Sequence, residues 1–202
     1  MLDSTVRKLI DPTLNTIARL LAKCGIGANT LTIIGFIFSV LGFITVAFQA
    51  YGLTILFIAL SRTMDGLDGP LARQTKATDF GGYLDIVLDF IFYAGTVFFF
   101  AVGQPSFALP AAFLIFSFMG TGSSFLAYAI MAEKHDINHD KQGKKSFFYL
   151  QGLTEGTETI LVIILICFFP SHFDWIAYIF GALCWLTTIG RIRQAAKDFK
   201  DI

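Results

Sequence analysis

Asp65-Gly66-Leu67-Asp68-Gly69-Pro70-Leu71-Ala72-Arg73, followed after a short turn by Gly81-Gly82-Tyr83-Leu84-Asp85-Ile86-Val87-Leu88-Asp89, decides how this chain is read. Each half sits at the end of a long apolar run, so four carboxylates fall where hydrocarbon is expected. Ionisable groups at bilayer depth are costly and persist mainly where they do a job. Four carboxylates held together repel one another unless cations lie between them, so the cluster is read as a divalent-metal site.

The rest of the chain supports a membrane setting. Its 202 residues are 55% hydrophobic and only 15% charged, with a mean hydropathy of +0.67, too apolar for a soluble domain of that size. The formal net charge is zero, which argues against a nucleic-acid partner. Cys24, Cys167 and Cys184 are far apart, without ligand-like spacing, and read as small packing residues.

Six apolar runs, at about 31–50, 52–72, 82–103, 107–131, 147–169 and 173–190, approach the ~20 residues that a spanning helix needs. The expected fold is therefore all-α and polytopic, with six transmembrane helices in a membrane domain over residues 25–202. Residues 1–24 lack the continuous apolar core and cleavage site of a secretory signal. Val6, Leu9, Ile10, Leu14, Ile17 and Leu21 recur there at helical spacing, which predicts an amphipathic helix in the headgroup plane, with Asp11-Pro12 as cap and first position of its main part. Lys and Arg fill alternate connections: Arg73 and Lys76 after the second run, Lys134, Lys141, Lys144 and Lys145 after the fourth, Arg191, Arg193, Lys197 and Lys200 after the sixth. The positive-inside rule puts both termini and the aspartates on the cytoplasmic side.

Asp65 and Asp68 are three apart, and Asp85 and Asp89 four apart, so each pair projects from one helical face. A turn at about 74–80 makes the two helices antiparallel neighbours and brings the pairs to one depth. All-oxygen ligation favours magnesium or manganese, and four carboxylates can hold two such ions as in phosphoryl transfer. Gly69 and Ala72 leave a surface almost without side chains, and Arg73 offers a forked donor suited to a phosphate.

Asp-x-x-Asp-Gly-x-x-Ala-Arg, then Gly, then Asp-x-x-x-Asp, over residues 65–89, resembles the signature of the CDP-alcohol phosphotransferases, membrane enzymes that make phospholipids from CDP-linked donors. The turn between Arg73 and Gly81 is one residue shorter than is typical. Phe90 stands where many members carry a basic residue, and Ala28-Asn29-Thr30-Leu31-Thr32 resembles the family's Pro-Asn-x-x-Thr with alanine for proline. The resemblance implies that Asp65 and Asp85 bridge two divalent cations, with Asp68 completing one site and Asp89 the other, and that Asp89 is also the general base. It implies that Gly69, Ala72, Arg73, Thr78 and Gly81 hold the CDP part of the donor lipid, with Asn29, Thr30, Leu31 and Thr32 closing over the same pocket. It further implies transfer of a phosphatidyl-type group to an alcohol with release of CMP, a homodimer, and a place in a bacterial inner membrane.

Glu155 and Glu158, three apart on one helical face at the start of the fifth run, are candidate acceptor contacts, with Lys144, Lys145 and Arg191 as partners for an acceptor phosphate. Structural uses compete with several of these readings. Asp65 and Asp68 could only pair with Arg62 or Arg73, Asn29 could only cap the first span, and the two glutamates could only form salt bridges. Gly35, Gly42, Gly120 and Gly122 read as helix-packing positions, and His135 and His139 as solvated side chains. The alternative function is a divalent-cation transporter or channel. Against it, the acidic pairs lie at the ends of adjacent spans, and Gly69-x-x-Ala72-Arg73 has no role in conduction.

Overall fold

A computed structural model describes residues 3–135 and 152–200, and the side chains of residues 10–135 and 152–200. Among the described residues every regular element is helical. These are α1 (Asp3–Lys23), α2 (Ala28–Ala47), α3 (Tyr51–Gln74), α4 (Asp79–Gly103), α5 (Ala108–Lys134), α6 (Gly156–Phe168) and α7 (Phe173–Asp198), with single 3-10 turns before α5 and α7.

Four helices, α2, α4, α5 and α7, are long and apolar enough to cross a membrane. The 24-residue α3 has the length, but its last turns carry Arg62, Asp65, Asp68 and Arg73, which lowers its hydropathy where the site lies. The 13-residue α6 is shorter than a span on its own, and residues 147–151 of the expected fifth run lie outside the described residues. Large apolar side chains such as Ile37, Leu53, Phe98, Phe116 and Ile179 are more than half exposed, the surface expected where hydrocarbon is the solvent.

Small residues let the helices approach. A Cβ on Gly35 would stand 3.1 Å from Met64 Cβ and 3.2 Å from the Ser61 carbonyl, so glycine there sets how close α2 comes to α3. Hydroxyl pairs tie the same interface, Ser39 to Ser61 at 2.8 Å and Thr54 to Thr45 at 3.0 Å. Gly122 of α5 receives the ring of Phe90 from α4, and Gly120 faces Thr188 and Trp185 of α7. The main core is aromatic and aliphatic, with Phe92, Phe100, Phe173, Leu114 and Ile163 essentially inaccessible and Phe107 stacked on Phe173 at a 4.6 Å centroid distance.

A second, smaller cluster joins α1 to the site-bearing half of α3, where Leu14, Ala18 and Leu21 meet Leu67 and Leu71. Gln74 Nε2 also donates to the Asn15 carbonyl at 3.1 Å. Ile10, Ile17 and Leu20 remain exposed on α1, so this helix has one apolar edge on the protein and another facing outward. Asp11-Pro12 is not a helix start: α1 runs unbroken from Asp3 to Lys23 with Pro12 inside it. Pro12 is exposed, which lets water satisfy the carbonyl that the proline leaves without a donor. Cys24 is exposed at the end of α1, against the expectation of a packing residue, whereas Cys167 and Cys184 are buried as expected.

Candidate active site

The last turns of α3 and the first turns of α4 carry the acidic pairs, and residues 75–78 link them. Thr78 caps α4 by accepting from Gly81 N at 3.0 Å, an interaction that starts the helix immediately before its acidic face. The connection returns the chain so that Asp85 lies beside Asp65 and Asp68, with α2 packed against both helices. One carboxylate oxygen from each of Asp65, Asp68 and Asp85 lies within 4.8 Å of the other two. Three hard, anionic oxygens at that spacing suit a divalent cation, and as carboxylates they bring a charge that a cation must offset.

The N-terminal turn of α2 closes over this cluster. Thr32 Oγ1 donates to Asp68 Oδ2 at 2.6 Å in a buried position. The Asn29 side chain lies against Gly81, where a Cβ would stand 2.7 Å from its Oδ1. Asn29 and Thr32 thus connect α2 to both aspartate-bearing helices, while Leu31 is buried and Thr30 exposed beside them. Arg73 is exposed and folds back over Gly69, where a Cβ would lie 3.5 Å from its guanidinium. With Ala72 half-buried one residue earlier, that flank is backbone and guanidinium, a surface suited to a phosphate.

Asp89 is set apart from the other three. Its Oδ1 accepts from Arg62 at 2.5 Å, and Tyr93 donates to its Oδ2 at 3.4 Å. Arg62 also lies 3.5 Å from Asp65, donates to Ser61 at 3.1 Å and stacks 4.1 Å above the Phe92 ring. The pairing with Asp65 that the sequence offered as a structural use is therefore present, while Asp68 is held by Thr32 instead. Arg62 precedes Asp65 by three residues, one helical turn, and that spacing was the available signal for its role.

The expected acceptor residues separate into three groups. Glu155 is not on a helical face but is the N-cap of α6, and with Glu158 it forms a capping box. Glu155 also accepts from Gly152 N at 2.9 Å, and Glu158 accepts from Glu155 N at 3.2 Å. Both carboxylates satisfy backbone donors at a helix start. Arg191 is buried, donates to the Thr121 carbonyl at 2.8 Å and faces Phe125. Its Nε, inaccessible to solvent, has no hydrogen-bond partner among the described residues. It lines a pocket of about 200 Å³ with Ser124, Tyr128, Met131, Ile192 and Phe199 between α5 and α7. Lys144, Lys145 and His139 lie outside the described residues.

A family model described as CDP-alcohol phosphatidyltransferase matches residues 26–190. The chain belongs to the CDP-alcohol phosphatidyltransferase family. It is 50% identical to the inner membrane protein YnjF of Escherichia coli strain K12, over 100% of this chain and 98% of that one. It is 30% identical to archaetidylinositol phosphate synthase of Pyrococcus horikoshii, over 96% of each chain. A crystal structure of Mycobacterium tuberculosis phosphatidylinositol phosphate synthase (PgsA1) with CDP-DAG bound matches its fold with a TM-score of 0.65 at 17% identity, over 91% of this chain and 93% of that one. This CDP-alcohol phosphatidyltransferase is a membrane transferase of phospholipid biosynthesis, and membership of the family disfavours the cation-transporter alternative.

Proposed function

We propose that this CDP-alcohol phosphatidyltransferase moves the phosphatidyl-type group of a CDP-linked lipid, such as CDP-diacylglycerol, onto the hydroxyl of an alcohol that itself carries a phosphate. The observation that carries the reading is the group of Asp65, Asp68 and Asp85, whose oxygens lie within 4.8 Å of one another beneath the Gly69–Arg73 surface. Magnesium or manganese is the expected cation, two ions per site, held by Asp65, Asp68, Asp85 and Asp89. When bound, the cations neutralise the pyrophosphate of the donor and stabilise the departing CMP.

The residues of the chain divide the remaining work. Arg73 and the side-chain-free backbone at Gly69 hold donor phosphates, with Asn29, Thr30, Leu31 and Thr32 of α2 and Thr78 and Gly81 of α4 closing the nucleotide pocket. Asp89 takes the proton of the acceptor hydroxyl as its oxygen attacks the phosphorus that bears the lipid. Arg191 takes the acceptor phosphate. That role is supported by a buried guanidinium whose Nε has no hydrogen-bond partner among the described residues, beside a pocket of about 200 Å³ with room for an anion. Thr121, which Arg191 holds, adjoins Gly122, against which the ring of Phe90, the neighbour of Asp89, packs. The two synthases named above, whose names include a phosphate-bearing product, fit the same class of acceptor.

The enzyme works as six spans with α1 in the cytoplasmic headgroup plane and both termini and the site on that side, which the placement of Lys and Arg in alternate connections supports. Residues 1–24 form the interfacial unit and 25–202 the membrane domain, active as a homodimer. Incubating detergent-purified protein with CDP-diacylglycerol and a panel of phosphorylated and unphosphorylated alcohols tests the reading. Lipid product and CMP should appear together, with phosphorylated alcohols preferred; a preference for unphosphorylated alcohols removes the role assigned to Arg191.

A further inference from the structure

Arg62 occupies a position that the transfer reaction as described does not use. Its guanidinium reaches Asp89 on α4 at 2.5 Å and Asp65 on its own helix at 3.5 Å. Its side chain is only 14% exposed, and it is fixed from two further directions. Phe92 lies under its face at 4.1 Å, Ser61 accepts from it at 3.1 Å, and Ser61 in turn pairs with Ser39 of α2 at 2.8 Å. Beside it is a cavity of about 10 Å³, lined by Thr32, Arg62, Asp65 and Asp89 among others, room for one water-sized species. The remaining carboxylates, Asp65, Asp68 and Asp85, form a cluster that can hold one cation without Asp89.

We propose that Arg62 is the resident cation of the donor-free site: it holds the Asp65–Asp89 side, so that this side takes its divalent ion only together with the donor. The inference rests on the two-cation reading given above. A fixed guanidinium close to both carboxylates already offsets their charge, and a second divalent ion would have to approach it against like-charge repulsion in a medium of low dielectric. The donor brings a pyrophosphate, whose negative charge and oxygen ligands reverse that balance. Arg62 would therefore act as a positioning residue. It keeps Asp89 oriented between turnovers, and it makes assembly of the complete metal centre depend on the presence of substrate.

Manganese binding to full-length, metal-stripped protein in detergent, followed by electron paramagnetic resonance, tests this. Without donor, the wild-type protein should bind one Mn2+ tightly, and adding CDP-diacylglycerol should bring a second together with the spectrum of a spin-coupled pair. Arg62→Gln should bind two without donor, the second at least ~10-fold more tightly than in the wild type. Arg62→Lys, which keeps the charge, should behave as the wild type. Two tight ions in the donor-free wild-type protein would overturn the proposal, and that count decides even if Arg62→Gln fails to fold. Equal second-ion affinity in a folded Arg62→Gln would overturn it as well. A wild-type protein that binds no Mn2+ even with CDP-diacylglycerol present would overturn the metal-centre reading itself, an outcome distinct from either of these.

Discussion

Thr32 Oγ1 donates to Asp68 Oδ2 at 2.6 Å, joining the first turns of α2 to the acidic face of α3 in a buried position. The bond orients one carboxylate of the cluster formed with Asp65 and Asp85. It also gives the Asn-x-x-Thr segment a physical function, because Asn29 reaches α4 at Gly81 while Thr32 reaches α3. The start of one helix thereby fixes the spacing of the two that carry the carboxylates.

Thr32→Val should leave Asp68 without this donor and let the carboxylate turn. We expect a loss of stability of about 1–3 kcal/mol, as for a hydrogen bond to a charged group, together with weaker Mn2+ binding. Thermal unfolding and a manganese titration read the two effects, and unchanged metal affinity would show that Thr32 does not position Asp68 for a cation.

Asp89→Asn removes the base while three clustered carboxylates remain. Turnover should fall by roughly 10²–10⁴-fold, the usual contribution of a general base, with some donor binding kept. Asp65→Asn should lose both turnover and metal binding. Single-turnover kinetics with donor-binding measurements separate the two variants, and normal turnover by Asp89→Asn would mean that another group takes the proton.

Glu155→Ala and Glu158→Ala each break one half of the capping box of α6. The expected cost is about 0.5–2 kcal/mol of stability, with donor and acceptor kinetics shifting together. A selective rise in the acceptor Michaelis constant at unchanged melting temperature would return these glutamates to the acceptor site.

Arg191→Lys keeps a charge but loses the planar fork that reaches both the Thr121 carbonyl and an anion. The acceptor Michaelis constant should rise by about tenfold or more, equivalent to about 1.4 kcal/mol, while the donor constant stays within twofold or so. Equal effects on both substrates would assign Arg191 to the α5–α7 contact alone.

The aspartates were legible in the sequence because charge in an apolar run stands out and helical spacing of three and four fixes which face each pair takes. The short turn was enough to bring the two acidic pairs together, but not to show that α2 packs against both α3 and α4 and holds them there. Arg62 was visible only as a possible partner of Asp65, because its contact with Asp89 depends on the register between two helices, which side-chain packing decides. The glutamates were read as one helical face because Ser, Thr, Asp and Asn are the usual N-caps, and a Glu at position 155 does not announce a helix start. The helix through Pro12 was hidden for a similar reason: proline more often begins a helix than sits inside one, and exposure at that point is a tertiary fact.

In the proposed reaction a carboxylate-held divalent cation supports transfer from a CDP-linked lipid to an alcohol. CMP release by detergent-purified protein, given CDP-diacylglycerol and the phosphorylated alcohol that the acceptor panel selects, can be followed before and after exhaustive chelation and after restoring Mg2+ or Mn2+. CMP and phospholipid should appear in equal amounts, both should be lost on chelation, and both should recover with either metal. Full turnover by the chelated protein would contradict this role of the cation.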